Sequence, residues 1–223
     1  MSDLFKNVII FGANGDIGSA FARALLPNSL QITLVARDRA KIDPTLMADS
    51  KTEFLQYSFP SDTLNLKSHL SSLSEPFDLC VNAIGIYAET ENILDNKHFQ
   101  QVLDSNFGVL QHIIKGISPF IDSKAKFINI SSIASHSGNT AEVAYSSSKI
   151  LVDKLMSSLR FIDSFRSVQS LNVRPGAVKS RMTSGRAESG SFIDPDELAE
   201  LCLHIICCGS SLTVPVIDVY RGN

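Results

Sequence analysis

Residues 7–11 (Asn-Val-Ile-Ile-Phe) form an apolar run that ends directly on Gly12-Ala-Asn-Gly15-Asp-Ile-Gly18. Beyond the glycines, Ile17, Ala20, Phe21, Ala24 and Leu25 recur at helical spacing until Pro27. A short unbroken apolar run reads as a strand buried on both faces, and the spacing after it as an amphipathic helix. A buried strand that turns tightly into a helix must have that helix lying back over the sheet. Few architectures accept this, and nearly all of them are parallel α/β folds.

The rest of the chain repeats the pattern. Apolar runs at 30–36, 53–57, 78–83, 126–131, 168–173 and 214–219 predict six further strands. Helical spacing predicts helices at 64–73, at 99–117 and at 145–165. Asp194, Pro195 and Glu197 open a last helix with a cap, a proline at the first position and an early acid. The expectation is one doubly wound Rossmann-type domain over residues 1–223, with a parallel sheet of about seven strands. The chain is 44% hydrophobic, enough for a sizeable core.

Charge narrows the partners. Twenty basic against twenty-three acidic residues give a net charge of -3, a poor footprint for nucleic acid. No apolar stretch reaches the roughly 18 residues that span a bilayer, and the start has no secretory leader pattern. Cys80, Cys202, Cys207 and Cys208 form no C-x-x-C pair, so reduced, mostly buried thiols and no metal site are expected. A cytoplasmic location follows as an expectation.

The glycine turn has a specific chemistry in this context. One glycine serves the tight turn, one lets the backbone approach a pyrophosphate, and one allows close helix–sheet packing. The helix N-terminus offers N–H groups and a positive dipole end to phosphates. Gly12, Asn14, Gly15, Asp16, Ile17 and Gly18 are therefore candidates for dinucleotide binding. Asp16 is awkward, because a carboxylate repels a pyrophosphate. It fits if it faces solvent or caps the helix. At the end of the second strand an acid ~20 residues past the glycines would bond the ribose hydroxyls of NAD. This chain has Ala36 and Arg37 there. The missing carboxylate and the guanidinium fork suit a 2'-phosphate, so NADP(H) is expected in preference to NAD(H).

Tyr145 and Lys149 are four residues apart on a predicted helix and share a face. A phenol titrates at about 10, and a nearby ammonium lowers that value, which makes a proton donor useful near neutrality.

Six segments in order resemble the short-chain dehydrogenase/reductase family over essentially the whole chain. They are the glycine turn; Asp78-Leu-Cys-Val-Asn82-Ala-Ile-Gly85; Asp104-Ser-Asn106; Phe127-Ile-Asn-Ile-Ser-Ser132; Tyr145-Ser-Ser-Ser-Lys149; and Asn172-Val-Arg-Pro175-Gly176-Ala-Val178. The resemblance implies Tyr145 as acid/base, with Lys149 lowering its pKa and holding the nicotinamide ribose. It implies Ser132 on the substrate oxygen and Asn106 at a proton-relay water. Asn82, Ala83 and Gly85, with Pro175, Gly176 and Val178, would line the cofactor. It also implies a homodimer or homotetramer. The chain departs from the family pattern at Phe11, at Asp16 in place of a glycine, and at Ser58 where an aspartate often contacts adenine.

No feature names a substrate. His136, Asn139 and Tyr87 read as solvated loop residues near a pocket mouth, and Met182, Phe192 and Ile193 are the large apolar residues of the substrate segment. The leading expectation is an NADPH-dependent carbonyl reductase acting on a small carbonyl or alcohol. A nucleotide-binding regulatory protein on the same fold is the alternative, since fold alone does not separate the two.

Overall fold

A computed structural model describes residues 5–59, 66, 68, 70–71, 75–88, 96–136, 142–184, 192–208 and 212–222. Seven strands form one sheet in the order β3-β2-β1-β4-β5-β6-β7, every pair parallel. The strands are β1 (Phe5–Phe11), β2 (Ser29–Ala36), β3 (Thr52–Gln56), β4 (Phe77–Asn82), β5 (Ile121–Ile130), β6 (Gln169–Pro175) and β7 (Val216–Val219). The α-helices that can be bounded among the described residues are α1 (Asp16–Leu25), α2 (Pro44–Ala48), α3 (Asn96–Leu103), α4 (Val109–Ile117), α5 (Val143–Ser158) and α6 (Pro195–Cys207). All seven expected strands are present, with ends shifted by a few residues. The doubly wound α/β expectation holds.

Alternation along the strands sorts the core into two layers. Val8 and Ile10 of β1 pack with Phe21 and Leu25 of α1 and with Leu198 and Ile206 of α6. Ile9 and Phe11 point the other way, to Leu110 and Ile113 of α4 and Val152 and Met156 of α5. Both faces are covered, which is why the strands read as apolar runs rather than alternating ones.

Two helix expectations need correction. The segment expected as one helix over 99–117 is broken by a π turn at Asp104–Gly108, and α5 stops at Ser158, with short 3-10 turns at Leu159–Phe161 and Asp163–Phe165. The helix expected over 64–73 lies mostly outside the described residues; Leu66 and Leu70 are helical and buried.

The last helix begins as expected. Asp194 caps it by accepting from the Asp196 N–H at 2.9 Å. Cys80 and Cys202 are buried free thiols, and burial pushes the Cys202 thiol up to about 12. No helix among the described residues is long and apolar enough to cross a membrane.

Candidate active site

Strand order reverses between β1 and β4, so their loops diverge at the carboxyl edge and leave a crevice there. The crevice is a cleft of about 440 Å³. Gly15, Asp16 and Ile17 stand on one side of it, Ser132, Tyr145 and Lys149 on another, and Pro175, Gly176 and Val178 on a third.

The glycine turn is built tightly. Gly12 has φ +80°, a conformation that favours glycine, and its N–H donates to the Val35 carbonyl at 2.9 Å. A Cβ on Gly18 would lie 2.2 Å from the Gly12 carbonyl oxygen, so only glycine lets α1 start this close to β1. Gly15 is the N-cap and no side chain caps the helix. An uncapped helix start facing a cleft suits the phosphates of a dinucleotide.

Asp16 behaves differently from either expectation. It does not cap α1, and its side chain, 33% exposed, is held by a partner rather than left to solvent alone. Its carboxylate accepts from the Arg181 backbone N–H at 2.8 Å, and the Arg181 Nε lies 3.5 Å from its other oxygen. The Arg181 guanidinium also donates to the Asn14 carbonyl.

Tyr145 and Lys149 sit on the first turns of α5. The Lys149 ammonium lies 5.6 Å from the Tyr145 ring centroid. Lys149 is only 4% exposed, and its Nζ donates to the Ile130 carbonyl at 3.5 Å. Burial lowers the Lys149 ammonium from 10.5 to about 8, and the Asp153 carboxylate acts against that fall. Ser132 lies two residues past the end of β5, and its Oγ caps the short turn that follows by accepting from the Ala134 N–H at 3.2 Å.

Asn106 sits in the π turn, buried. Its Oδ1 accepts from the Ile86 N–H at 2.8 Å, and its Nδ2 donates to the Ile86 carbonyl at 3.1 Å and to Ser148 Oγ at 2.9 Å. The amide thus uses both of its N–H groups, one to hold the loop after β4 and one to tie the π turn to α5.

Behind the cleft runs a ladder of buried amides. Asn82 donates to Asn129, and Asn129 to Asn172, each at 2.8 Å. Asn172 donates to Asp153 at 2.6 Å. Asn82 Oδ1 meanwhile accepts from the Ile84 N–H at 3.1 Å, which holds the backbone at Ala83 against the cleft.

The sequence candidates therefore divide. Gly15, Asp16, Ile17, Ala83, Gly85, Ser132, Tyr145, Lys149, Pro175, Gly176 and Val178 line the cleft. Gly12, Gly18, Asn82 and Asn106 shape it from beneath. Asn14 lines a second cleft on the far side of Asp16. Arg37 is exposed at the end of β2 and lines neither cleft.

Tyr87, expected as a solvated loop residue, is a wall instead. Its ring meets Tyr145 edge-on at 5.1 Å, and its hydroxyl donates to Glu142 at 2.8 Å. His136 is exposed, 3.1 Å from Asp218, and outside the cleft lining; Asn139 lies outside the described residues. Phe192 and Ile193 are buried, whereas Met182 is exposed at the cleft. Glu142, Arg181 and Asp153 went unnoticed in the sequence. The one available signal was Asp16, a charge that needed a partner.

Comparison with known proteins identifies the family and the fold. The family described as short chain dehydrogenase matches residues 6–190. A 3-oxoacyl-[acyl-carrier-protein] reductase of Rickettsia typhi is 30% identical over 187 residues, covering 80% of this chain and 75% of that protein. Carbonyl reductase family member 4 of Xenopus tropicalis is 25% identical, covering 90% and 91%. Among solved structures, an alcohol dehydrogenase from Thermococcus sibiricus complexed with 5-hydroxy-NADP superposes with a TM-score of 0.81 at 21% identity, covering 97% and 96%. A short-chain type dehydrogenase/reductase from Mycobacterium ulcerans gives 0.84 at 17% identity, covering 98% and 90%.

Proposed function

Because this chain belongs to the short-chain dehydrogenase family, we propose that it moves a hydride between NADP(H) and a carbonyl or alcohol, working as an NADPH-dependent carbonyl reductase. The observation that carries this is the gathering of Ser132, Tyr145 and Lys149 on the cleft that the glycine turn opens into. A purely regulatory nucleotide binder has no use for that proton-transfer set.

The residues present fit a dinucleotide. Gly12 and Gly18 keep the turn flat, and the uncapped start of α1 gives the phosphates N–H groups. When bound, the cofactor supplies the hydride. The rest belongs to the chain. Ser132 donates a hydrogen bond to the carbonyl oxygen and orients it. Tyr145 gives its phenolic proton to that oxygen as the carbonyl carbon accepts the hydride, leaving an alcohol and a phenolate. The Lys149 ammonium favours the phenolate and so eases the transfer. A water on the Asn106 carbonyl would return a proton to Lys149 and Tyr145.

The preference for NADP(H) over NAD(H) rests on Arg37 and the absence of an acid after Ala36. Self-association as a homodimer or homotetramer is supported by Ile150 and Leu151, apolar residues exposed on α5. A cytoplasmic location and a single domain over 1–223 complete the proposal.

The test is NADPH consumption against a panel of ketones, aldehydes and 3-oxoacyl thioesters; the thioesters are included because several relatives are named for that substrate. Alcohol formed in step with NADPH oxidised for at least one class is expected. Tight NADPH binding with no turnover across the panel would favour a regulatory role instead.

A further inference from the structure

A carboxylate at the mouth of a phosphate-binding helix should weaken the site it stands in. Asp16 is the first residue of α1 and lines the cleft where the pyrophosphate would lie. Its charge opposes a diphosphate and cancels part of the positive end of the helix dipole. The chain meets this with a residue 165 positions away.

Arg181 is placed there by a braced turn. After β6, the Gly176 N–H donates to the Val219 carbonyl at 2.9 Å. Residues 177–179 pair with Ile193 on both sides, at 2.9 and 2.8 Å. Thr183 then closes the turn. Its hydroxyl donates to the Val178 carbonyl at 2.7 Å and accepts from the Ser180 N–H at 3.0 Å. Arg181 projects from that turn with three contacts to the glycine segment: its N–H and Nε toward Asp16, and its guanidinium on the Asn14 carbonyl. The pair stands between two clefts and lines both of them.

An ordinary surface ion pair contributes little, and Arg181 is 62% exposed. The anchoring of the backbone N–H as well as the guanidinium makes this contact more than a surface pair. It fixes where the positive charge sits relative to the N-terminus of α1.

We propose that Arg181 is a cofactor-binding residue: it neutralises Asp16 and gives the diphosphate of the dinucleotide a cationic boundary opposite the glycine turn. This rests on the dinucleotide-binding reading above. It also accounts for Asp16 in place of the glycine usual in the family, because the aspartate anchors the segment that carries Arg181. The diphosphate is common to both nicotinamide cofactors, so the effect must be blind to the 2'-phosphate.

The experiment is a double-mutant cycle read by calorimetric titration with NADPH and with NADH. Arg181→Gln removes the charge. Asp16→Asn removes the opposing charge but keeps an oxygen to accept from the Arg181 N–H. Arg181→Gln is expected to weaken both cofactors by a similar factor, about 10- to 100-fold, the loss typical of a charge-assisted contact. Asp16→Asn should bind as tightly as wild type or tighter. The double variant should return to within about 3-fold of wild type, since the repulsion that Arg181 cancels is gone.

Arg181→Lys, which keeps the charge without the fork, should fall between wild type and Arg181→Gln. Three results would overturn the proposal while leaving dinucleotide binding intact: no change in Arg181→Gln, a loss confined to NADPH, or a loss of equal size in the Asp16→Asn background. A wild-type protein that binds neither cofactor would remove this proposal together with the function it rests on. Both positions lie outside the core, and matching melting temperatures confirm that folding is unaffected.

Discussion

Asp153 lies one helical turn beyond Lys149 on α5, and its carboxylate joins that helix to β6 and to the residue just past β5. Oδ1 accepts from Ser131 Oγ and from Asn172 Nδ2, both at 2.6 Å, and Oδ2 accepts from Arg174 Nε at 2.8 Å. Its side chain is 11% exposed. Ser131 adjoins Ser132, and Arg174 adjoins Pro175. One carboxylate thus sets the helix bearing Tyr145 against the strand ends bearing the other cleft residues, while its charge supports the Lys149 ammonium.

Asp153→Asn should therefore change both alignment and charge. Losing the carboxylate lowers Lys149 further below about 8, so less ammonium is present near neutral pH. Turnover at neutral pH is expected to fall about 10-fold or more, with the loss growing as pH rises. The check is kcat against pH at saturating substrate. A pH profile superimposable on wild type would contradict the role.

Lys149→Met should separate stability from catalysis. The folded value of about 8 lies below the ordinary 10.5, so across that interval the unfolded chain holds the extra proton. Stability from this residue consequently rises as pH climbs from about 8 to 10.5. Below about 8 the cost of burying the charge is fully present, up to about 3 kcal/mol at about 1.4 kcal/mol per unit. The inactive Met variant should then melt higher than wild type at neutral pH, and the gap should narrow on the alkaline side. A gap that stays constant with pH would show that the buried charge is not its cause.

Tyr145→Phe keeps the ring that packs against Tyr87 and removes the proton donor. Turnover should drop by about 10²–10⁴, the usual worth of general acid catalysis. Cofactor affinity should stay near wild type. Steady-state rates with a responsive carbonyl and a binding titration check the two halves separately. Wild-type turnover in this variant would end the assignment of Tyr145 as the acid.

Arg37→Ala tests the choice of cofactor. Arg37 stands exposed at the carboxyl end of β2, beside Ala36. Its removal should weaken NADPH by roughly 10- to 150-fold, corresponding to a lost charged hydrogen bond of about 1.5–3 kcal/mol, and barely touch NADH. Equal losses for both would argue against a 2'-phosphate contact.

Much of the scaffold could be read beforehand because its signals are local. A strand buried on both faces announces itself as a run such as Val8-Ile9-Ile10-Phe11, Gly12 is needed by its own backbone conformation, and Gly18 by a contact only six residues away. Asp16 and Arg181 show the opposite case. Nothing in the spacing of two residues so far apart shows that they meet; only the turn after β6, reaching back across the carboxyl edge of the sheet to the glycine segment, brings them together. Tyr87 reads as a solvated loop residue for the same reason, since its packing against Tyr145 depends on the loop after β4 folding back over α5. The break at Asp104–Gly108 escaped notice because a π turn hardly disturbs the apolar spacing of Phe99 to Ile117.

The amide ladder has a consequence for how the sheet assembles. Asn82, Asn129 and Asn172 face one another only when β4, β5 and β6 pair in the observed register. A slip of one residue would turn an amide toward the apolar layer, where each unpaired group costs about 1–3 kcal/mol. The direction of donation is fixed as well. Asp153 can only accept when ionised, so Asn172 must donate to it, and every amide behind must point the same way, back to Asn82. The chain is a proofreader of strand alignment: a misregistered sheet cannot complete it, and a sheet that completes it has already set the floor of the cleft.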